Sequence, residues 1–180
     1  MGRFIQFTKV FILLVATGNP VFGVCRDPFG NVDKQHISKI RKEASQILIS
    51  EAQTWLGVVE ITGNNDHPRI SESMKLCGLA GNRGYPWCAS SQAKIHFDAN
   101  IPAPHSARVT DWFKQNVVWK QEWGNKYIAI QPGMVGAIYY QRLKRYGHIV
   151  LIVGEDKNNY YTLEGNTNSA GSREGQGFYR

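Results

Sequence analysis

From Asp33 to Leu56 the apolar residues return every three or four positions. Ile37, Ile40, Ala44, Ile47, Leu48, Ala52, Trp55 and Leu56 fall on one stripe, which predicts an amphipathic helix over 36–56. Asp33 can cap its start and Gly57 can stop it. Gly63 to Asp66 reads as a turn, and Pro68 can open a second, short helix over Arg69 to Leu76. A glycine-rich loop, Gly78 to Gly84, leads to a third helix that begins near Pro86 and runs from Trp87 to Phe97. Asn100 to Pro104 ends it, and a short fourth segment follows at Thr110 to Lys114.

Beyond residue 120 the period changes to two. Tyr127–Ile130, Val135–Tyr140, Gly147–Val153, Tyr160–Glu164 and Gly177–Tyr179 read as strands. Pro132-Gly133, Glu155–Asn159 and Gly165–Asn168 separate them as turns. Helices first and antiparallel strands after them predict an α+β fold, with N-terminal helices packed on an antiparallel sheet.

Composition narrows this little further. The 180 residues make one domain of ordinary size. At 42% hydrophobic and 12% aromatic the chain is too apolar for intrinsic disorder. The net charge of +7 excludes an acidic protein and leaves nucleic acid, a membrane surface or a cell wall as anionic partners.

The N-terminus bears on that choice. Arg3 and Lys9 precede the unbroken apolar run Val10 to Ala16, Pro20 follows, and Gly23 offers a small residue for cleavage. This is the pattern of a secretory signal peptide over 1–23, too short to span a bilayer. Phe22 and Val24 do not suit lipid attachment at Cys25. The expectation is a secreted or periplasmic domain over 24–180, still at +5 once Arg3 and Lys9 are gone.

Three cysteines cannot all pair within one monomer. Cys88 sits at the start of the third helix, where unpaired N–H groups and the helix dipole favour a thiolate. Cys77 reads as a packing thiol or a disulfide partner for Cys25. A cysteine nucleophile needs a histidine base, and the chain offers His36, His67, His96, His105 and His148. His96 is eight residues along the helix from Cys88, about 12 Å by the helical rise, and out of reach. His36 lies on a solvated face, and His67 and His105 lie in proline-flanked loops. His148 opens the clearest strand. The next strand ends at Glu164, so a hairpin brings the two together, with Asn166 two residues further. A carboxylate or amide there can orient the imidazole.

Pro86-Trp-Cys88, Pro132-Gly133 before an apolar strand, Gly147-His-Ile-Val150 and Glu164-Gly-Asn166 together resemble the CHAP-type cysteine amidohydrolases and peptidases. Trp55, Asn65 to Ile70 and Pro86 to Ala89 resemble a bacterial subgroup of that family. The resemblance spans Ala44 to Tyr179. It implies a papain-like fold and cleavage of an amide or peptide bond in peptidoglycan. Cys88 would be the nucleophile, His148 the base, Glu164 the orienting group and Asn166 a polar assistant. The related NlpC-type endopeptidases use a second histidine as third polar residue, and none follows His148 here. Ser90 and Ser91 depart from the bulkier apolar residues expected after the cysteine. Asn82 to Tyr85 lacks the carboxylates of a calcium loop, so no metal or other cofactor is expected. Peptidoglycan would be the partner and the chain a monomer; a toxin role would add a cognate immunity or regulatory protein. The alternative is a catalytically inactive wall-binding or toxin-accessory module on the same fold. Nucleic acid is disfavoured, because the basic residues are scattered and no binding motif is present.

Overall fold

In a computed structural model of the chain, residues 11–15, 34–81, 84–114, 117–120, 130–157, 159–169 and 175–180 are described. Strand β1 (Phe11–Val15) is followed by three helices, α1 (Lys34–Gln53), α2 (Pro68–Leu76) and α3 (Cys88–Asp98). A 3-10 turn, Val109–Phe113, leads to β2 (Val117–Lys120), β3 (Val135–Tyr140), β4 (Arg145–Glu155), β5 (Tyr160–Thr167) and β6 (Gly177–Tyr179). Among the described residues these six strands form one antiparallel sheet in the order β2-β1-β3-β4-β5-β6. The α+β layout expected from the sequence is present.

The helices follow their sequence signals closely. The α1 stripe buries Leu48 and Ala52, and the chain then turns through Thr54 to Gly57, whose φ of 84° suits glycine. Pro68 occupies the first turn of α2, and the His67 ring accepts the N–H of Arg69 at its start. The core between helices and sheet is built from Leu48, Trp55, Ile70, Met74, Trp87 and Ile95 against Val135, Ala137, Ile149, Leu151, Leu163 and Phe178. Burial of that many large side chains, each contributing about 1.5–3 kcal/mol, is what holds α3 on the sheet.

Two differences from the sequence expectations stand out. The leader expected over 1–23 contains Phe11–Val15, which pairs with β3 on one side and β2 on the other. An unbroken apolar run suits a strand flanked on both sides as well as it suits a signal; residues 1–10 and 16–33 lie outside the described residues. Second, β5 does not stop at Glu164 but continues to Thr167. Gly165 and Asn166, read as a turn, are strand positions, and only Asn166 adopts the turn-like φ of 57°. The strand expected at Tyr127–Ile130 falls almost wholly on residues outside the described set.

Candidate active site

Cys88 is the first residue of α3 and is 2% exposed. Trp87 stands before it in the capping position, and no side chain caps the helix. The first N–H bond back into the chain comes from Ser91, to the Trp87 carbonyl at 2.9 Å. The N–H groups ahead of it carry the positive end of the helix dipole and remain available to a developing negative charge.

A β-bulge brings His148 to this helix end. On β4 His148 faces Ile138 and Tyr146 faces Tyr139, so Gly147 is an extra residue opposite an unbroken β3. Bulges re-aim the adjacent side chain, and glycine accommodates one easily. His148 is 1% exposed and its Nε2 lies 2.8 Å from Glu164 Oε2. Continuing the Leu151–Leu163 register one step places Glu164 opposite Val150, a diagonal neighbour of His148. Thr162 Oγ1 donates to the other oxygen, Oε1, at 2.5 Å, which fixes the carboxylate plane.

The tautomer follows from these contacts. A carboxylate only accepts, so Nε2 keeps its proton in both states of the ring, and Nδ1 is the nitrogen that gains or loses one. Nδ1 makes no hydrogen bond of ordinary geometry, and Cys88 is near enough to interact electrostatically with the His148 side chain. Such contacts are commonly loose without substrate and tighten when it binds. Burial would push the imidazole pKa down. Hydrogen bonds and charge interactions with Cys88 and Glu164 outweigh it and hold the pKa up to about 9.

Asn166, the fourth residue expected here, is buried on β5, two residues beyond Glu164. Its left-handed backbone breaks the strand alternation that would have aligned it with Glu164, and its carbonyl accepts the N–H of Gly175.

The other histidines lie elsewhere. His67 is a helix cap. His105 packs its ring edge-on to Phe97. His96 is fully buried on α3, donating Nδ1–H to the Gln92 carbonyl at 2.7 Å. The side chain of His36 is outside the described residues. Cys77 and Cys88 are free thiols among the described residues, and Cys25, considered from the sequence as a partner for Cys77, lies outside them. Burial pushes the Cys77 thiol up to about 11, which disfavours it as a nucleophile. Among the described residues no cluster of His, Cys, Asp and Glu could hold a metal ion.

Several supporting residues carried no signal of their own in the sequence. Val58–Glu60 runs beside β6, with Glu60 N–H on the Gln176 carbonyl and Phe178 N–H on the Val58 carbonyl. That places Glu60 in the core, where Oε1 accepts the Trp87 indole N–H at 2.7 Å and Oε2 accepts the Asn65 N–H at 3.2 Å. Asn65 Nδ2 in turn donates to the Tyr85 carbonyl at 2.9 Å. Glu60 and Asn65 therefore clip both Tyr85 and Trp87, the chain that enters at Cys88. Arg69 lies over the Trp55 ring at 4.6 Å and donates to the Thr54 carbonyl. The segment Asn65 to Ile70, quoted above only as a motif, thus acts as scaffold.

Ser90 and Ser91, the unexpected pair after Cys88, are explained by close approach. Ser90 Oγ meets Ser73 Oγ on α2 at 3.1 Å, and Ser91 Oγ donates to the Cys88 carbonyl. A Cβ on Gly165 would lie 2.5 Å from Ser91 Oγ and 2.6 Å from the Trp87 ring. Bulkier residues would push α3 off α2 and β5. Gln92 adds a tie, donating Nε2–H to the Leu163 carbonyl at 3.3 Å.

Cys88 lines a groove of about 700 Å³ together with Tyr85, Pro86, Arg108, Asp111 and Arg145. Comparison of the chain with protein-family profiles, curated proteins and solved structures found no match.

Proposed function

We propose that this protein is a cysteine-dependent hydrolase of amide or peptide bonds, with the stem peptides of peptidoglycan as its substrate. The observation that carries the reading is the ordered, buried set Cys88, His148 and Glu164, joined at the uncapped start of α3. The resemblance of Pro86–Ala89, Gly147-His148 and Glu164 to CHAP-type enzymes supplies the substrate class. It also supplies the finer expectation of a papain-like fold within the α+β architecture.

In the proposed cycle Cys88 Sγ attacks the carbonyl carbon and a C–S bond forms. The carbonyl oxygen takes the charge and is met by the N–H groups of the first turn of α3. His148, held cationic by its neighbours, gives its proton to the amine as the C–N bond breaks. Water then attacks the thioester while His148 Nδ1 takes its proton, and the acid product leaves with the thiol restored. Glu164 keeps Nε2 protonated throughout and so keeps Nδ1 aimed at the sulfur.

The test is digestion of purified sacculi. Cys88→Ala and His148→Ala should abolish fragment release while circular dichroism and melting behaviour stay near those of the parent. An active Cys88→Ala protein would overturn the reading. Mass spectrometry of the released fragments separates cleavage at the sugar lactyl amide from cleavage within the peptide.

A further inference from the structure

The groove beside Cys88 is unevenly charged. Its lining includes Arg108, ahead of the 3-10 turn, and Arg145, the first residue of β4. Both are exposed, and neither guanidinium has an ion-pair partner among the described residues. Asp111, the carboxylate in that lining, is already satisfied. It takes Lys114 Nζ at 2.7 Å on one oxygen and the Ser106 hydroxyl at 2.6 Å on the other. Those bonds, with the charges of Lys114 and Arg108, hold its pKa below the usual carboxylate range. Counting Lys114 against Asp111, Arg108 and Arg145 leave a net positive charge of two at the groove that Cys88 lines. Guanidinium forks match a carboxylate better than any other common side chain does, and a partly enclosed groove focuses their field.

We propose that Arg108 and Arg145 form an anion subsite that selects substrates bearing a free carboxylate close to the scissile amide. The inference rests on Cys88 being the nucleophile proposed above, and it names which peptides that nucleophile meets. The stem peptide qualifies where a side-chain or α-carboxylate is left free; an amidated or neutral peptide does not.

Two small alkylating agents test this without a wall substrate. Iodoacetate and iodoacetamide react alike: the thiolate displaces iodide from the methylene carbon, an S–C bond forms and iodide leaves. They differ in that only iodoacetate carries a carboxylate. Second-order rates at Cys88 of the full chain, read near neutral pH by peptide mapping so that Cys25 and Cys77 are counted apart, give an iodoacetate-to-iodoacetamide ratio. That ratio should fall by roughly three- to tenfold for each arginine replaced in Arg108→Gln and Arg145→Gln, the scale of two unit charges across a groove partly open to water. In the parent it should also fall as salt is added. An unchanged ratio in the double variant, with Cys88 still alkylated, overturns the subsite and leaves the nucleophile standing. A Cys88 that neither reagent alkylates overturns both.

Discussion

Replacing Glu164 by Gln keeps the size of the side chain and removes its charge. Glu164 and His148 are each 1% exposed and 2.8 Å apart, so little water can compensate. In the parent the histidine pKa stands at about 9 against an ordinary 6.5, a preference for the cation of about 3 kcal/mol at 1.36 kcal/mol per unit. Cys88 and Glu164 share that preference, and burial opposes it. If Glu164 carries about half, its charge is worth roughly tenfold in the population of the reactive pair. The amide adds a second loss: its N–H₂ can donate to Nε2, which moves the imidazole proton to Nδ1, the wrong nitrogen for a base facing sulfur. Together these predict a fall in kcat/KM of roughly 10²–10³. The sign for pH follows from the raised pKa. The imidazolium that protonates the leaving amine is present below about pH 9 and lost above it, so the parent's activity should decline on the alkaline side near that value. In Glu164→Gln this decline should move to lower pH. The assay is fragment release from sacculi across pH, with melting temperature as a control for folding. A variant with the parent's rate and an unmoved alkaline limb would refute the orienting role of Glu164.

Gly165→Ala should lower both stability and turnover, because its Cβ meets two fully buried side chains, Ser91 and Trp87, on the first turn of α3. Overpacking of this kind costs about 1–3 kcal/mol, read as a lower melting temperature; parental melting and turnover would count against the tight helix–strand contact. His96 predicts an acid-side loss of stability. Burial depresses its pKa to about 4, the backbone bond to Gln92 only partly offsetting it. The unfolded chain therefore binds a proton below pH 6.5 that the folded chain refuses down to about 4, and stability falls as pH drops through that window by up to about 3 kcal/mol. Urea denaturation at pH 7 and pH 4.5 should show a shallower pH dependence for His96→Leu than for the parent, and equal dependences would refute the assignment.

The catalytic candidates were legible because each depends on local signals. A cysteine after Pro-Trp marks a helix start, and a histidine after glycine marks the opening of an apolar strand. The hairpin arithmetic then brought Glu164 back to it. The backbone at Asn166 was less legible, because its positive φ falls inside β5 where strand alternation does not foretell it. Glu60 could not be found from sequence: it follows Val58-Val59 in a stretch with no clear period, and only pairing with β6 carries it under Trp87. The apolar run Val10–Ala16 shows a different limit. Seven consecutive apolar residues satisfy the hydrophobic segment of a signal peptide and equally a strand with neighbours on both sides. The two uses are exclusive in one mature molecule, since cleavage after Gly23 would remove β1 from between β2 and β3.

The buried His148–Glu164 pair bears on the choice between an enzyme and an inert module of the same fold. Taking a charged pair out of water costs several kcal/mol per ion, and apolar residues of equal volume commonly serve stability as well or better. Ile149, Leu151 and Leu163 already provide the packing, and Gln92 already ties α3 to β5. Thr162 is committed to fixing the carboxylate rather than to bridging elements. A wall-binding module would need the groove and its arginines but neither a proton held on Nε2 nor a lone pair on Nδ1. That arrangement is what the proposed proton exchange between His148 and the thiol at the head of α3 requires.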